Sequence, residues 1–471
     1  MSSLRPDAVV GSGFLTLGTG EAVARIVAFV ATVYLARRLR ADAYGAIVLA
    51  TTIMAYVGRL SDCGVDLLGV RDVAHDPTRL PELLPSFLGA RLLVAGPLIL
   101  LTAGVGLLVF PSTEGAVLAA YAFTLLPLAL GTHWVHLGLG QFRIVSISRG
   151  VKEGLTALLI LALVHYSEDV GRVPVAAIAG EGLGAFLLLW ALPRVTTTLN
   201  AVLRFDVVVS LYRRSWPLVL HALLGLLIMK SDFFFLRIYR DSATVGHYAV
   251  SYALISFFVN LGHSYQLSLL PVITRLADAP DRQGHLYQTA AAQVFAGAFP
   301  LAIGGCLVAE RLVPAVFGSG YAASVIPLQI LVWSVPVALM RNVAQSVLIA
   351  RGRQDLMFRS SAWAAASNVM LNFAVIPFWG MTGAAMVTVV SESVRLLPML
   401  TFTRRTGLPM VSPRRFWRTL LAGGVMAAVV TAVALPTVWL SMALGALTYA
   451  CTLCLTGGLQ FRRGSLPKLM V

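Results

Sequence analysis

The sequence predicts an all-α protein that crosses a membrane many times. Of its 471 residues, 58% are hydrophobic and 12% are charged, whereas soluble globular domains carry about 25% charged residues. Apolar runs of about 18 residues or more, long enough for a helix to cross a bilayer, recur along the whole chain. Together these observations exclude a soluble enzyme with a few buried helices.

One stretch, from Asn368 to Arg395, has the pattern of a helical hairpin in a membrane. Pro377 lacks an N–H group and is expected to end the first helix, while Gly380 and Gly383 let the backbone reverse. Small residues follow Gly383 and give the second helix a face on which another backbone can pack closely.

The apolar runs predict about fourteen transmembrane helices. They cover residues 9–36, 43–70, 83–110, 115–138, 151–166, 173–193, 215–236, 244–272, 287–309, 321–349, 360–377, 381–402, 416–434 and 437–460. Basic residues gather in the loops of one side, 23 against 7 on the other. The positive-inside rule then places both termini in the cytoplasm. It also explains the net charge of +15 without a nucleic-acid partner.

The two halves of the chain echo each other, as at Tyr44–Gly45 and Val245–Gly246, where similar spans begin after an arginine. The predicted parts are an N-terminal lobe of six helices (1–195), a cytoplasmic linker (196–214), a C-terminal lobe of six helices (215–405) and two additional helices (406–471). Because six is even, the lobes should be related by a pseudo-two-fold axis along the membrane normal. The site is expected between the lobes near mid-membrane.

Charged residues inside the spans are the candidate site residues, because a charge in lipid costs roughly 2.5–3.5 kcal/mol on insertion scales. The candidates for binding an anionic substrate are Arg25, Arg59, Arg91, Lys230, Arg341 and Arg395. The planar fork of arginine binds phosphate oxygens in pairs, so several of these residues around one cavity would hold a diphosphate.

Three acidic residues, Glu21, Asp232 and Glu392, are the candidates for coupling to H+ or Na+. The alternative for several charges is a structural ion pair along one helix. Glu21 with Arg25, Arg59 with Asp62, and Glu392 with Arg395 have the i,i+3 or i,i+4 spacing for this.

The sequence lacks the residue patterns that would indicate a metal site, a cofactor site or a catalytic site. His133 and His136 share a helix face without a nearby carboxylate or cysteine, and Cys451 and Cys454 have no second pair. We therefore predict no metal site and no cofactor beyond a coupling ion or the membrane potential. A catalytic soluble loop and a GxxxxGK[ST] motif are also missing, so the sequence favours a transporter over an enzyme.

Three stretches resemble the Wzx-type polysaccharide flippases, a family in the superfamily of multidrug, oligosaccharidyl-lipid and polysaccharide exporters. They are Tyr34–Leu39 with Tyr44–Gly45, Asp62–Gly64 and Arg71–Ala74; Trp134 with Phe142–Arg143; and Asn368 with Ile376–Pro377, Gly380 and Gly383–Ala385. The segments around Arg25 and Arg59 are also similar to the first-helix and second-helix arginine segments of the lipid II flippases. There, these arginines are thought to engage the lipid diphosphate.

The resemblance implies a MATE-like fold and a flippase of the bacterial plasma membrane that works by alternating access, as a monomer. Its substrate would be an oligosaccharide repeat unit joined through diphosphate to undecaprenol or another polyprenol, moved to the outer leaflet for surface polysaccharide biosynthesis. A polysaccharide polymerase and glycosyltransferases would be its partners, together with membrane lipids. The alternatives are a cation-coupled multidrug extruder of the same superfamily and a lipid II-type flippase.

Overall fold

The computed structural model describes residues 23–62, 64–192, 205–409, 412, 415–433, 435–460 and 468–469. Its α-helices are α1 (23–38), α2 (Ala41–Ser61), α3 (Val65–His75), α4 (Leu80–Val109), α5 (Ser112–Ala122), α6 (Leu125–Leu130), α7 (His133–Gly138), α8 (Phe142–Leu163), α9 (Arg172–Trp190), α10 (Phe205–Tyr239), α11 (Ser242–Arg275), α12 (Pro280–Phe317), α13 (Val325–Leu331), α14 (Ser334–Ala350), α15 (Gln354–Arg405), α16 (Trp417–Ala432) and α17 (Val438–Leu455). Short 3-10 helices lie at Pro77–Arg79, Ser167–Gly171 and Ser319–Ser324. A strand pair, β1 (Leu459–Gln460) and β2 (Lys468–Leu469), is antiparallel.

Among the described residues, eight helices are long and apolar enough to cross a membrane. A ninth crossing would consist of Ser319–Leu331 and Ser334–Ala350, two segments that meet at a 42° bend. Each of the fourteen predicted spans overlaps a described helix. The count of fourteen stays a prediction, because two predicted spans fall within α15 and several others are broken.

By internal packing the chain divides into two units. The first, unit 1, comprises Met1–Leu226 with Asp241–Gly246, and the second, unit 2, comprises Leu227–Arg240 with His247–Val471. The predicted lobe and linker boundaries, including the two additional helices, remain predictions.

In unit 1, several predicted spans are broken where the backbone needs a special conformation. The predicted span 43–70 divides into α2 and α3 at Gly64, whose φ of +74° is readily adopted by glycine. The predicted span 115–138 divides into α5, α6 and α7. α3 then packs on α7 because Gly69 leaves room for the buried Trp134 indole. These breaks place backbone carbonyls and charged side chains inside the unit.

In unit 2, α15 forms the hairpin that its sequence predicted. Val375 lies against Gly383, Asn368 Nδ2 donates to Ser391 Oγ at 3.1 Å, and Arg395 Nε donates to Ser361 Oγ at 3.2 Å. The partner numbers rise on one side as they fall on the other, so the two halves are antiparallel.

The reversal occurs at Gly380, as predicted, where φ is +52° and ψ is −133°, but the first helix does not end at Pro377 as predicted. Pro377 lies inside the first helix, which continues to the turn. A proline inside a transmembrane helix is tolerated when neighbouring groups satisfy the backbone carbonyls it frees. Arg240 donates from its Nη2 to the Pro377 carbonyl at 2.9 Å, one of the acceptors left over where the first helix ends at Gly380.

Candidate functional site

Unit 1 contains a cavity of about 510 Å³ whose lining includes ten titratable side chains. Its apolar lining includes Ala28, Met54 and Leu128. Its titratable lining residues are Arg25, Arg59, Asp62, Asp66, Arg91, His133, Arg149, Lys152, Glu153 and Glu181. Three of the six basic residues predicted to bind substrate, Arg25, Arg59 and Arg91, therefore lie on one cavity.

The break between α2 and α3 puts two carboxylates on the cavity wall. Asp62 follows the last residue of α2, and Asp66 lies in the first turn of α3. The backbone N–H of Asp66 donates to Asp62 Oδ2 at 3.3 Å, which satisfies one of the unpaired donors at the start of α3. The break thus brings the two carboxylates together, and the Asp62 carboxylate in turn stabilises the start of α3.

Arg91 reaches this break from α4 and is held on three sides. Its Nη2 lies 3.4 Å from Asp62 Oδ1, and the two side chains are only 2% and 9% exposed. Nη1 donates to the Gly131 carbonyl at 2.8 Å, and Nη2 donates to the Leu128 carbonyl at 2.9 Å. These carbonyls lie at the end of α6, where helical acceptors are left over. Arg91 thus joins two broken spans.

Arg59 is far more accessible, with a side chain that is 51% exposed. Its Nη1 lies 3.5 Å from Asp66 Oδ2. The other oxygen, Asp66 Oδ1, lies 2.7 Å from His133 Nε2. Asp66 is therefore shared by a permanent cation and a titratable ring. The predicted i,i+3 pair of Arg59 with Asp62 is replaced by pairs that connect different elements.

The far wall of the cavity is formed where α8 and α9 pack together. Gly184 of α9 lets this helix approach α8, and its carbonyl accepts a hydrogen bond from Ser148 Oγ at 2.9 Å. Lys152 forms an ion pair with Glu181 across the two helices and lies 3.8 Å from Glu153.

Sequence reasoning missed Arg149 and Lys152 as cavity residues. The predicted fifth span began at 151, and both residues were counted with the basic residues of the cytoplasmic side at its start. In the structure α8 begins at Phe142 and carries them inside the unit. Their i,i+3 spacing on one helical face was the available signal. His136 of the neighbouring histidine pair is buried instead, with its ring nitrogens 2.7 Å from Gln141 Oε1 and 2.8 Å from the Leu188 carbonyl.

Three further predicted residues meet in unit 2. Arg341 of α14 donates from Nε to Glu392 Oε2 at 2.8 Å, and both side chains are nearly buried. Arg395 Nη1 lies 4.0 Å from Glu392 Oε1, which is the i,i+3 pair considered from the sequence. Arg341 has no carboxylate at helical spacing, and its partner comes from another helix.

Asp232, also in unit 2, lies at the centre of a buried polar network. Its Oδ1 accepts from Asn372 Nδ2 at 2.7 Å. Its Oδ2 accepts from Thr388 Oγ1 at 2.6 Å and from Tyr248 OH at 2.8 Å. Asn368 extends the network by accepting from Ser231 Oγ at 2.6 Å and from Asn372 Nδ2 at 3.0 Å. These donors to the Asp232 carboxylate are all neutral.

Lys230 and Glu21 complete the predicted residues. Lys230 lies two positions from Asp232 on α10, so the two residues point in different directions. Its Nζ lies 5.3 Å from the centre of the Phe233 ring, a cation–π contact. Glu21 lies outside the described residues, as does any pair of it with Arg25. The prediction that residues of both lobes share one site between them stays a prediction.

The fold is similar to solved transporter structures at low sequence identity. The lipid II flippase MurJ in an inward closed conformation has 13% identity and a TM-score of 0.75, over 94% of this chain and 98% of that chain. An inward-facing multidrug resistance MATE family transporter of the MOP superfamily has 12% identity and a TM-score of 0.65, over 82% and 94%. The Vibrio cholerae MATE transporter VcmN in the bent form has 16% identity and a TM-score of 0.52, over 84% and 96%.

These likenesses confirm the predicted MATE-like, all-α fold and the multi-pass membrane architecture. None of the curated proteins matches the sequence. A family model described as polysaccharide biosynthesis protein matches residues 10–277, which is more than half of the chain. The predicted resemblance to a family within this superfamily is thereby confirmed, and the chain belongs to the polysaccharide biosynthesis protein family.

Proposed function

We propose that this protein is a flippase that moves a polyprenyl-diphosphate-linked oligosaccharide from the cytoplasmic to the outer leaflet of the bacterial plasma membrane, for surface polysaccharide biosynthesis. The family and the transporter fold support this proposal. Glycosyltransferases would supply the lipid-linked repeat unit, and a polymerase would consume it. The protein itself would act by alternating access, without covalent chemistry.

The observation that carries the proposal is the convergence of five basic side chains on one cavity of about 510 Å³. A diphosphate that bridges two organic groups carries two negative charges. Charge-assisted hydrogen bonds from guanidinium groups recognise it well, because their donors match the spacing of phosphate oxygens. A cavity of this size suits a compact polar headgroup, since small-molecule pockets measure about 300–1,000 Å³. The prenyl chain would stay in lipid.

The second candidate function is a cation-coupled multidrug extruder, which the four carboxylates on the same cavity favour. All four of these carboxylates already lie beside basic side chains. That arrangement leaves less negative charge for an organic cation than the count alone suggests. A lipid II-type flippase would use the same diphosphate chemistry with another headgroup.

The proposal assigns coupling to an ion, H+ or Na+, to Asp232. Neutral donors hold its carboxylate in a buried place, and an isolated charge buried in this way is costly. A proton or a sodium ion would relieve that cost. Glu392 is a weaker candidate because Arg341 and Arg395 already lie beside it. Asp232→Asn should remove the dependence of transport on the ion gradient, and unchanged dependence would contradict the assignment.

The test is translocation of a polyprenyl-diphosphate oligosaccharide in proteoliposomes. Arg59→Ala and Arg149→Ala should each lower the initial rate by about tenfold or more, because a hydrogen bond to a charged group contributes about 1.5–3 kcal/mol. The matched control is Arg143→Ala, which is exposed on the same helix as Arg149 but lies outside the cavity lining. It should stay within about twofold of wild type. The initial transport rate of Arg341→Ala tests in the same way whether the basic residue Arg341 of unit 2 contributes to transport.

Each purified variant must first give a monodisperse peak in size-exclusion chromatography in detergent. A lower transport rate can then not be attributed to misfolded protein. Absence of wild-type transport for every polyprenyl-diphosphate lipid, together with efflux of organic cations, would establish the extruder instead. Transport of lipid II alone would identify the headgroup and keep the flippase mechanism.

A further inference from the structure

The contact of His133 with Asp66 gives the cavity a titratable element beside an accessible arginine. His133 Nε2 lies 2.7 Å from Asp66 Oδ1, and Arg59 Nη1 lies 3.5 Å from Asp66 Oδ2. The three side chains come from α7, α3 and α2, and all three line the cavity. His133 and Asp66 are about one quarter exposed, so protons and ligands can reach both.

Two further charged side chains of the described residues lie next to this contact. From the break after α2 comes Asp62, and from α4 comes Arg91, which lies 3.4 Å from the Asp62 carboxylate. The rest of the cavity contributes Arg25, Arg149, Lys152, Glu153 and Glu181. Lys152 and Glu181 form an ion pair with each other, so the charges of these two side chains largely cancel.

The near cluster has a simple charge balance. Arg59 and Arg91 contribute two positive charges, and Asp62 and Asp66 contribute two negative charges when both are ionised. With a neutral His133 the cluster is therefore neutral overall, and with a protonated His133 its charge is +1. Histidine is the side chain whose charge ordinarily changes between about pH 5 and 8.

Resting on the proposed flippase function, we propose that His133 and Asp66 form a proton-binding site that controls the affinity of Arg59 for the diphosphate. A protonated His133 becomes a counter-ion of Asp66 and releases the Arg59 charge for the ligand. A neutral His133 leaves Asp66 to neutralise Arg59.

Proton binding and diphosphate binding are thus positively coupled. By linkage, each ligand must strengthen the binding of the other by the same factor. A change of one unit charge a few ångströms from a dianion is partly screened by water and salt in a cavity that is open to both. We therefore expect a modest factor of about tenfold, within the usual range for coupled sites of about 5- to 150-fold.

The probe should be a ligand whose own charge is constant over this pH range. Farnesyl-diphospho-N-acetylglucosamine is suitable because both phosphates are esterified, whereas a phosphate monoester loses a second proton near pH 6. Binding is measured by microscale thermophoresis on the purified full-length protein in detergent, at fixed ionic strength, at pH 5.5 and pH 8.0. Wild type should bind about tenfold more tightly at the lower pH.

Two variants should reduce this pH dependence while changing the affinity in opposite directions. His133→Gln should bind at both pH values as weakly as wild type does at pH 8.0, because position 133 can no longer take up a proton. Asp66→Asn should bind at pH 8.0 about tenfold more tightly than wild type, because Arg59 loses its counter-ion. A gain of affinity cannot arise from misfolding. The control His165→Gln, an exposed histidine outside the cavity lining, should behave as wild type.

The outcomes separate this inference from the proposed function. Wild-type affinity that is equal at both pH values, with binding lost in Arg59→Ala, would overturn the proton site and keep the flippase. Persistence of the pH dependence in His133→Gln, or weaker binding in Asp66→Asn at pH 8.0, would also overturn it. Absence of wild-type binding at either pH would overturn the proposed function, and the inference with it.

Discussion

Arg91 was predicted to bind substrate, yet its contacts give it a structural task that a single substitution can test. Replacement by methionine keeps most of the length of the side chain and removes the guanidinium group. It would leave the Asp62 carboxylate, which is only 9% exposed, without its neighbour at 3.4 Å. It would also remove the hydrogen bonds to the Leu128 and Gly131 carbonyls.

The expected loss follows from these contacts. Removing one partner of a buried ion pair costs about 3–5 kcal/mol, because the remaining charge is buried without compensation. Arg91→Met should therefore lower the free energy of unfolding by about that amount. The double variant with Asp62→Asn should recover about 2 kcal/mol, since the uncompensated charge is gone. The matched control is Arg79→Met, whose pair with Glu82 at 3.6 Å is largely exposed and contributes roughly 0–1 kcal/mol.

The assay is unfolding by sodium dodecyl sulfate in mixed micelles, followed by circular dichroism, without any ligand. A ligand-binding arginine held by few protein contacts would leave stability nearly unchanged in this assay. A loss below about 1 kcal/mol for Arg91→Met, or a double variant no more stable than the single one, would refute the structural account. It would return Arg91 to the ligand-binding group.

Three further substitutions test other parts of the fold in the same unfolding assay. Gly380→Ala should cost about 1–3 kcal/mol, because the turn of α15 needs φ of +52° and ψ of −133°, which strains any residue with a Cβ. Gly69→Ala should cost about 1–3 kcal/mol by overpacking, since the new Cβ would lie 2.5 Å from the Trp134 indole. Asn372→Ala should cost about 1.5–3 kcal/mol, because it removes a 2.7 Å hydrogen bond to the buried Asp232 carboxylate.

Gly182 of α9 is the control for both glycine substitutions. A Cβ there would meet none of the described atoms within 4 Å. Gly182→Ala should be neutral or slightly stabilising, because alanine is the better helix former. An equal loss at Gly182 would show that the other two glycines are not special.

The general fold could be predicted because the membrane restricts the choices. In lipid each backbone polar group must be satisfied within the protein, so long apolar runs become helices. The hairpin of α15 was predicted from Gly380 and the small residues after it. The turn lies at Gly380 as predicted, but the first helix was expected to end at Pro377 and instead continues through it to the turn.

The broken spans could not be predicted from hydropathy. An apolar window averages over its residues and is insensitive to one residue with positive φ. The break at Gly64 lies inside the predicted span 43–70, and the charged residues around it, Arg59, Asp62 and Asp66, were the remaining signal. The same insensitivity placed the start of α8 too late and hid Arg149 and Lys152.

Partners of the buried charges were equally invisible in the sequence. Spacing along a helix reveals i,i+3 and i,i+4 pairs, and it found Arg395 with Glu392. It could not find Glu392 as the partner of Arg341, 51 positions away, since that contact depends on how α14 packs on α15.

The balance of charge on the cavity has a consequence for transport. Five basic and four acidic side chains line it, and the pairs at Asp62, Asp66 and Glu181 already compensate several of the basic groups. Under the proposed function, a diphosphate would compete with these carboxylates for the arginines, which would lower its affinity. For a transporter this is useful, because a ligand that permeates must bind well enough to enter and weakly enough to leave. Acidic residues on this cavity thus fit an anion flippase, provided that they act as counter-ions which the substrate displaces.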